Sequence, residues 1–186
     1  AIMDASSITA IRTAAVSGVA TGAMALRDAG DLAILGSGVQ ARTHLQAMAE
    51  VRQLRRVRAW SRNAGRLGEY VTWARSTVGI DVEATASAAA AVRGADIICT
   101  TTAASEPIVM SQWVQDGAHI NAVGSSIPRA RELDTATVLR GRLVVDRVES
   151  AINEAGDFLL PRGEGAITDA HIKGELGDVL LGRVQG

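Results

Sequence analysis

The sequence is poor in the residues that mark several common protein classes. One cysteine, Cys99, among 186 residues cannot form an internal disulfide, so the fold needs no oxidising compartment. Aromatic residues make up 3% of the chain, and 19 basic against 20 acidic residues leave a formal net charge of −1. Nucleic-acid binding by stacking needs aromatic faces, and binding to a phosphate backbone needs surplus cations; the sequence offers neither. No apolar run reaches the ~18 residues of a membrane helix. The opening Ala1-Ile2-Met3-Asp4 lacks the basic and apolar regions of a signal peptide. The expectation is a cytoplasmic protein that binds neither nucleic acid nor membrane. The phosphate-loop pattern G-x-x-x-x-G-K-[ST] is absent, and Gly124-Ser125-Ser126-Ile127 fails the nucleophile-elbow pattern. His44, His119 and His171 are widely spaced, without metal-ligand partners, so no metal site is expected. Each reads as a surface or core-edge histidine, and Cys99 as a packed thiol.

Hydrophobic residues are 47% and charged residues 21% of the chain, enough for one packed domain. Residues 7–27 read as a long alanine-rich helix capped by Ser6 or Ser7, with Gly18 and Gly22 suited to close packing of another backbone. Leu32–Leu35 is a short apolar run between glycines, as expected of a buried parallel strand. Helices over 39–51, 64–78 and 88–94, the last capped by Ser87, alternate with strands over 57–60, 80–83, 96–100 and 119–123. Asp134 caps a short helix stopped by Gly141, and Leu143–Val145 is a sixth strand. This alternation defines an α/β protein with a mostly parallel sheet. The polar, glycine-rich tail after Asp146 gives no firm elements.

Gly36-Ser37-Gly38-Val39-Gln40-Ala41 is the sharpest motif, because it follows a predicted strand and opens a predicted helix. Gly36 permits a tight turn, Gly38 lets a pyrophosphate approach the backbone, and Ala41 lets helix and strand pack closely. The helix N-terminus offers free N–H groups to the phosphates. The fold expected is therefore a Rossmann-type doubly wound sheet. About 20 residues further on, an NAD site usually carries a carboxylate for the ribose. The segment here, Trp60-Ser61-Arg62-Asn63-Ala64-Gly65-Arg66, has none and has two arginines. It suits a 2′-phosphate, so NADP(H) is preferred, with NAD(H) left open.

Four ordered stretches together resemble the ornithine cyclodeaminase/mu-crystallin family. They are Ile8–Ser17, the Gly36–Ala41 turn, Asn121–Pro128 running into Arg131-Glu132-Leu133-Asp134, and Val144-Val145-Asp146 followed by Glu154–Asp157 and Gly174–Asp178. The resemblance implies roles for particular residues. Arg12 would reach both cofactor phosphates and substrate carboxylate, beside the cofactor-binding Thr13. Val39 and Gln40 would lie at the pyrophosphate, and Ser61, Arg62 and Asn63, with Arg66, at the adenosine phosphate. Thr100, Thr101 and Thr102 would flank the nicotinamide ribose, and Val123, Gly124 and Ser125 would face the nicotinamide. Cyclodeaminases of the family carry a catalytic aspartate two residues before the loop proline; here that position is Ser126. A serine hydroxyl with no base beside it is a poor proton acceptor near neutral pH. The resemblance thus points to reduction of a C=N bond in a cyclic ketimine or α-imino acid, with Arg12 and Ser126 as the catalytic pair. Cyclodeaminase-like, alanine-dehydrogenase-like and non-enzymatic NADPH-binding alternatives stay open.

It also implies a homodimeric parent of two domains. Residues 1–29 would enter from a substrate and dimerisation domain, 30–147 would bind the dinucleotide, and 148–186 would return toward the truncated second domain. The isolated chain is expected to bind cofactor without turnover.

Overall fold

In the computed structural model, which describes residues 5–124 and 126–185, each glycine-bounded apolar run lies where two helical layers can cover it. The order is α1 (Ala5–Met24), β1 (Asp31–Leu35), α2 (Val39–Val51), β2 (Arg56–Trp60), α3 (Ala64–Trp73), β3 (Val82–Ala84), α4 (Ala88–Val92), β4 (Ile97–Thr100) and β5 (His119–Ala122). Then come α5 (Thr135–Arg140), β6 (Leu143–Val145), α6 (Val148–Glu154), α7 (Gly156–Gly163), β7 (Ile172–Glu175) and α8 (Leu176–Leu180). Strands β3-β2-β1-β4-β5 form one sheet in that order, with every pairing parallel. The strand pleat sends alternate side chains to opposite faces. Leu32 and Ile34 pack with Leu45, Met48 and Tyr70, whereas Ala33 and Leu35 pack with Ala91, Val92 and Phe158. The sheet is doubly wound, and the order reverses between β1 and β4, where such folds open a crevice.

Local signals place several elements as expected. Ser87 caps α4 by accepting from Ala90 N–H, and Asp134 caps α5 by accepting from Thr137 N–H. Other elements differ. The sixth strand, β6, leaves the main sheet and pairs in parallel with β7, an element that its glycine-broken sequence concealed. The helix expected over 64–78 ends as a π-helical turn over 74–78, closed by Gly79 in the left-handed region. Ser6 and Ser7, expected as caps, lie inside α1, and that helix stops at Met24. Arg52 explains the stop: its Nη2 donates to the carbonyls of Thr21 (2.7 Å) and Ala25 (3.0 Å). Gly18 meets only Ala47 and Val51 of α2 at ordinary contact distance, and Gly22 meets nothing within 4 Å. Helix α2 thus packs closely on α1 at Gly18, as expected, where a Cβ would also lie 3.8 Å from the Ala47 carbonyl oxygen; Gly22 has no such neighbour.

Of the histidines expected at the surface or core edge, His44 is fully buried and His119 half-buried. His44 Nδ1 lies 2.7 Å from the Gln40 carbonyl and must donate to it, so Nε2 accepts from the Ser17 hydroxyl at 3.0 Å. His119 lies 3.3 Å from Asn121 Oδ1, and Asn121 Nδ2 donates to Thr21 Oγ1 at 2.9 Å. Burial lowers the pKa of both imidazoles below the ordinary 6.5. The unfolded chain therefore binds protons more readily, and the neutral-histidine contribution to stability is full above about pH 6.5 and lost as pH falls below it. The urea unfolding midpoint, followed by circular dichroism, is expected to fall between pH 7.5 and 5.5, and to fall less in His44→Gln. Glu132, whose pKa burial raises, acts in the opposite direction, so the comparison with the variant isolates the histidine.

Candidate functional site

The chain turns sharply after β1 because the turn is tied to its neighbours on both sides. Gly36 N–H donates to the Trp60 carbonyl at 2.8 Å, and Thr101 N–H and Oγ1 donate to the Leu35 carbonyl at 2.8 and 2.9 Å. Gly36 has φ +124°, and a Cβ there would lie 2.6 Å from Thr101 Oγ1 and 2.8 Å from its carbonyl oxygen. Both conformation and space exclude a side chain. Ala41, fully buried, is small enough for α2 to sit close on the strand, and Tyr70 Oη donates to its carbonyl.

The N-terminus of α2 is open. Gly38, the capping position, makes no side-chain cap, and a Cβ there would meet nothing within 4 Å. The first-turn N–H groups of Val39, Gln40 and Ala41 have no intrahelical acceptor. The buried amide oxygen of Gln40 has no hydrogen-bond partner among the described residues. The free N–H groups fit an anionic group, and the Gln40 oxygen, an acceptor, fits a hydroxyl or N–H donor on the same ligand.

The predicted site residues converge on the C-terminal edge of the sheet. Ser37 Oγ donates to Ser61 Oγ at 3.0 Å, joining the β1 turn to the end of β2. Arg62 and Arg66 are exposed, and neither guanidinium makes an ion pair among the described residues. Asn63 Oδ1 is occupied as the cap of α3, accepting from Arg66 N–H at 3.0 Å. Across the crevice, Val123 N–H donates to the Thr100 carbonyl at 3.1 Å, which places Thr100–Thr102 beside Val123 and Gly124. Ser126 is exposed on the same loop, and Ser125 lies outside the described residues.

Arg12 and Thr13 reach this edge through helix register. Helix α1 runs parallel to α2, with Ser17 bonded to His44 and Thr21 to Met48, each pair 27 residues apart. One turn earlier, the same offset brings Thr13 level with Gln40. Arg12 is exposed there and Thr13 half-buried. Cys99 is fully buried, and burial pushes its thiol up to about 12, which leaves an unreactive packed thiol as expected. Among the described residues no cluster of His, Cys, Asp and Glu could hold a metal. No described helix is long and apolar enough to cross a membrane.

Sequence reasoning gave no role to Glu132, Gly156 or Asp157 beyond their place in motifs. Asp157 Oδ1 accepts from Glu132 N–H and Leu133 N–H, both at 2.9 Å, and Gly156 lies against the 127–130 turn. The two acids lie in separate motifs, a visible signal, but the pairing of Glu132 with Asp157 is a property of the fold.

Sheet order, open helix terminus and strand-end crevice define a Rossmann-type nucleotide-binding fold. The chain belongs to the ornithine cyclodeaminase/mu-crystallin family, whose sequence profile matches residues 1–186. It is similar to the ketimine reductase mu-crystallin of Mus musculus, 43% identical over 182 residues, which cover 98% of this chain and 55% of that protein. Among solved structures it is similar to the Δ1-pyrroline-2-carboxylate reductase of Thermococcus litoralis in complex with NADH and L-proline. The TM-score is 0.96 at 40% identity, over 99% of this chain and 57% of that one. An archaeal alanine dehydrogenase dimer with bound NAD matches with a TM-score of 0.91 at 30% identity, over 99% and 56% of the two chains. The chain spans about half the length of the curated relatives it matches.

Proposed function

We propose that this chain is the NADP(H)-binding part of an oxidoreductase that reduces the C=N bond of a cyclic ketimine or α-imino acid. The observation that carries the reading is the crevice where the strand order reverses. It is open at Gly38, lined by an uncapped helix terminus, and edged by an exposed Arg62 that makes no ion pair among the described residues. The substrate class is supported by the reductase activities named for the mouse and Thermococcus relatives. In this reading residues 30–147 hold the dinucleotide, and 1–29 and 148–186 belong with a second, substrate-holding part of a cytoplasmic homodimer. The archaeal dimer supports the assembly.

The turn Gly36, Ser37, Gly38, Val39, Gln40 and Ala41 would hold the pyrophosphate, with Thr13 level with it. Arg62 and Arg66, with the hydroxyl of Ser61, would meet the 2′-phosphate. Asn63 would contribute through its amide nitrogen or backbone, because its oxygen caps α3. Thr100–Thr102 and Val123–Ser125 would flank the nicotinamide, which supplies hydride when bound. Arg12 would hold the substrate carboxylate, since a guanidinium grips a carboxylate through two parallel bonds. A preformed imine needs hydride at carbon and one proton at nitrogen. Residues 123–128 contain no carboxylate or imidazole to cycle further protons, and Ser126 stands where a cyclodeaminase carries its acid. The test is an assay of the whole protein. NADPH-dependent reduction of piperideine-2-carboxylate or pyrroline-2-carboxylate is expected, without ammonia release from ornithine. Ammonia release without imine reduction would reverse the reading. The likeness to alanine dehydrogenase favours one second reading, reductive amination of a 2-oxo acid; NADPH oxidation by pyruvate that depends on ammonium would select it.

Cofactor choice is tested separately. A charge-assisted hydrogen bond contributes about 1.5–3 kcal/mol, so Arg62→Ala is expected to weaken NADPH by roughly tenfold or more. NADH, without the 2′-phosphate, should be little affected. Fluorescence titration with both cofactors measures the ratio, and equal losses would remove Arg62 from the 2′-phosphate site.

A further inference from the structure

Glu132 is a completely buried carboxylate that none of the reading above uses. Its Oε1 accepts from the backbone N–H of Thr102 at 2.7 Å and from the Thr102 hydroxyl at 2.5 Å, and its Oε2 accepts from Gly124 N–H at 2.8 Å. Thr102 follows β4 and Gly124 follows β5, and these strands are neighbours through the Thr100–Ala122 pair. One side chain therefore bridges the two loops on the β4–β5 side of the crevice. A Cβ on Gly124 would collide with the Thr102 carbonyl and with Glu132 itself, so the loops close on the carboxylate with no room to spare. The backbone of Glu132 is held in turn: Asp157 takes its N–H at 2.9 Å, and its carbonyl accepts from Ile108 and Val109 N–H at 2.8 and 3.0 Å. Burial raises the pKa of the carboxyl, and the donors facing it, from Thr102, Thr100 and Gly124, work against that rise.

We infer that Glu132 is a positioning residue, which sets the separation of the loops after β4 and β5 and so shapes the seat of the nicotinamide end of the cofactor. The assignment rests on the NADP(H) reading above. The carboxylate is the group the geometry requires, because each of its oxygens accepts a backbone N–H. A carboxamide has one acceptor oxygen and one donor nitrogen, so Glu132→Gln keeps size and shape but sets two donors against each other at Thr102 or Gly124. The loops must then part at one of these points, while the β1 turn and the end of β2 keep their own hydrogen bonds.

The experiment compares two probes on the same chain: NADPH, and 2′-phospho-ADP, which lacks both the nicotinamide and its ribose. With Glu132→Gln, NADPH binding is expected to weaken by about tenfold, the effect of leaving one buried donor unpaired. Binding of 2′-phospho-ADP should be unchanged, and the change in nicotinamide fluorescence on binding should shrink. Glu132→Asp keeps charge and acceptors on a shorter stem. It should show the same selectivity with a smaller loss, and it decides the matter if the glutamine variant does not fold. Equal weakening of both probes would reduce Glu132 to a general support of the fold and overturn the assignment, as would no change in either. Failure of the unaltered chain to bind either probe would overturn the cofactor reading itself, and the assignment with it.

Discussion

Gly38→Asp is expected to abolish dinucleotide binding while leaving the fold as stable as before, or slightly more so. The backbone at Gly38 has φ −86° and ψ −165°, an extended conformation open to any residue, and a Cβ there would meet nothing within 4 Å. Aspartate is a good N-cap, and an anion beside a helix N-terminus contributes about 0.3–1 kcal/mol. The same carboxylate would occupy the space proposed for the pyrophosphate. Two unit charges of like sign roughly 5 Å apart, at an effective dielectric of about 20, repel by about 3 kcal/mol, which is on the order of 100-fold in affinity. Calorimetric titration with NADPH and a thermal melt together read both signs. A stable variant that still binds NADPH would show that the α2 terminus is not the phosphate site.

The second large effect concerns stability. In Gly156→Ala the new methyl carbon would overlap the carbonyl oxygen of Ala130 and lie 2.6 Å from that of Ile127. Both are backbone atoms and cannot rotate aside, so the 127–130 turn or the start of α7 must move. Either shift pulls on Asp157, whose Oδ1 holds two backbone N–H groups of the β5–α5 connection. A loss of about 2–4 kcal/mol is expected, in the range of steric strain added to a packed site. For a chain of this length that lowers Tm by roughly 5–15 °C. Gly163→Ala, at the other end of α7, meets nothing within 4 Å and serves as the control. It should be neutral or mildly stabilising, because glycine in a helix costs about 1 kcal/mol relative to alanine. Equal melting temperatures for the two variants would mean that the turn yields freely.

What could be read from the residues alone was whatever depends on near neighbours. The apolar runs at 32–35 and 97–100 and the caps at Ser87 and Asp134 are settled within a few residues, and the structure has them as expected. The β1 turn was legible because strand, glycines and helix are contiguous. Features that rest on distant pairings were not. Strand β7 looks like loop because Gly174 interrupts it, and it becomes a strand only through β6, some 30 residues away. His44 carries no local sign of burial; its fate depends on Ser17 of another helix. The role of Asn63 was read from its place after β2, but the nearer demand of the α3 N-terminus takes its oxygen.

The seam between α1 and the sheet also bears on the order in which the chain folds. Helix α1 precedes the sheet along the chain, and its bond to α2 through Ser17 and His44 closes a loop of 27 residues. Its bond to β5, from Asn121 to Thr21, closes one of 100 residues. Closing the longer loop costs about 1 kcal/mol more in chain entropy, and the contact has no partner strand until β4 is in place. On a growing chain, therefore, a helix made before the sheet is secured only after most of that sheet has formed. It rests on α2 alone until β5 joins the sheet.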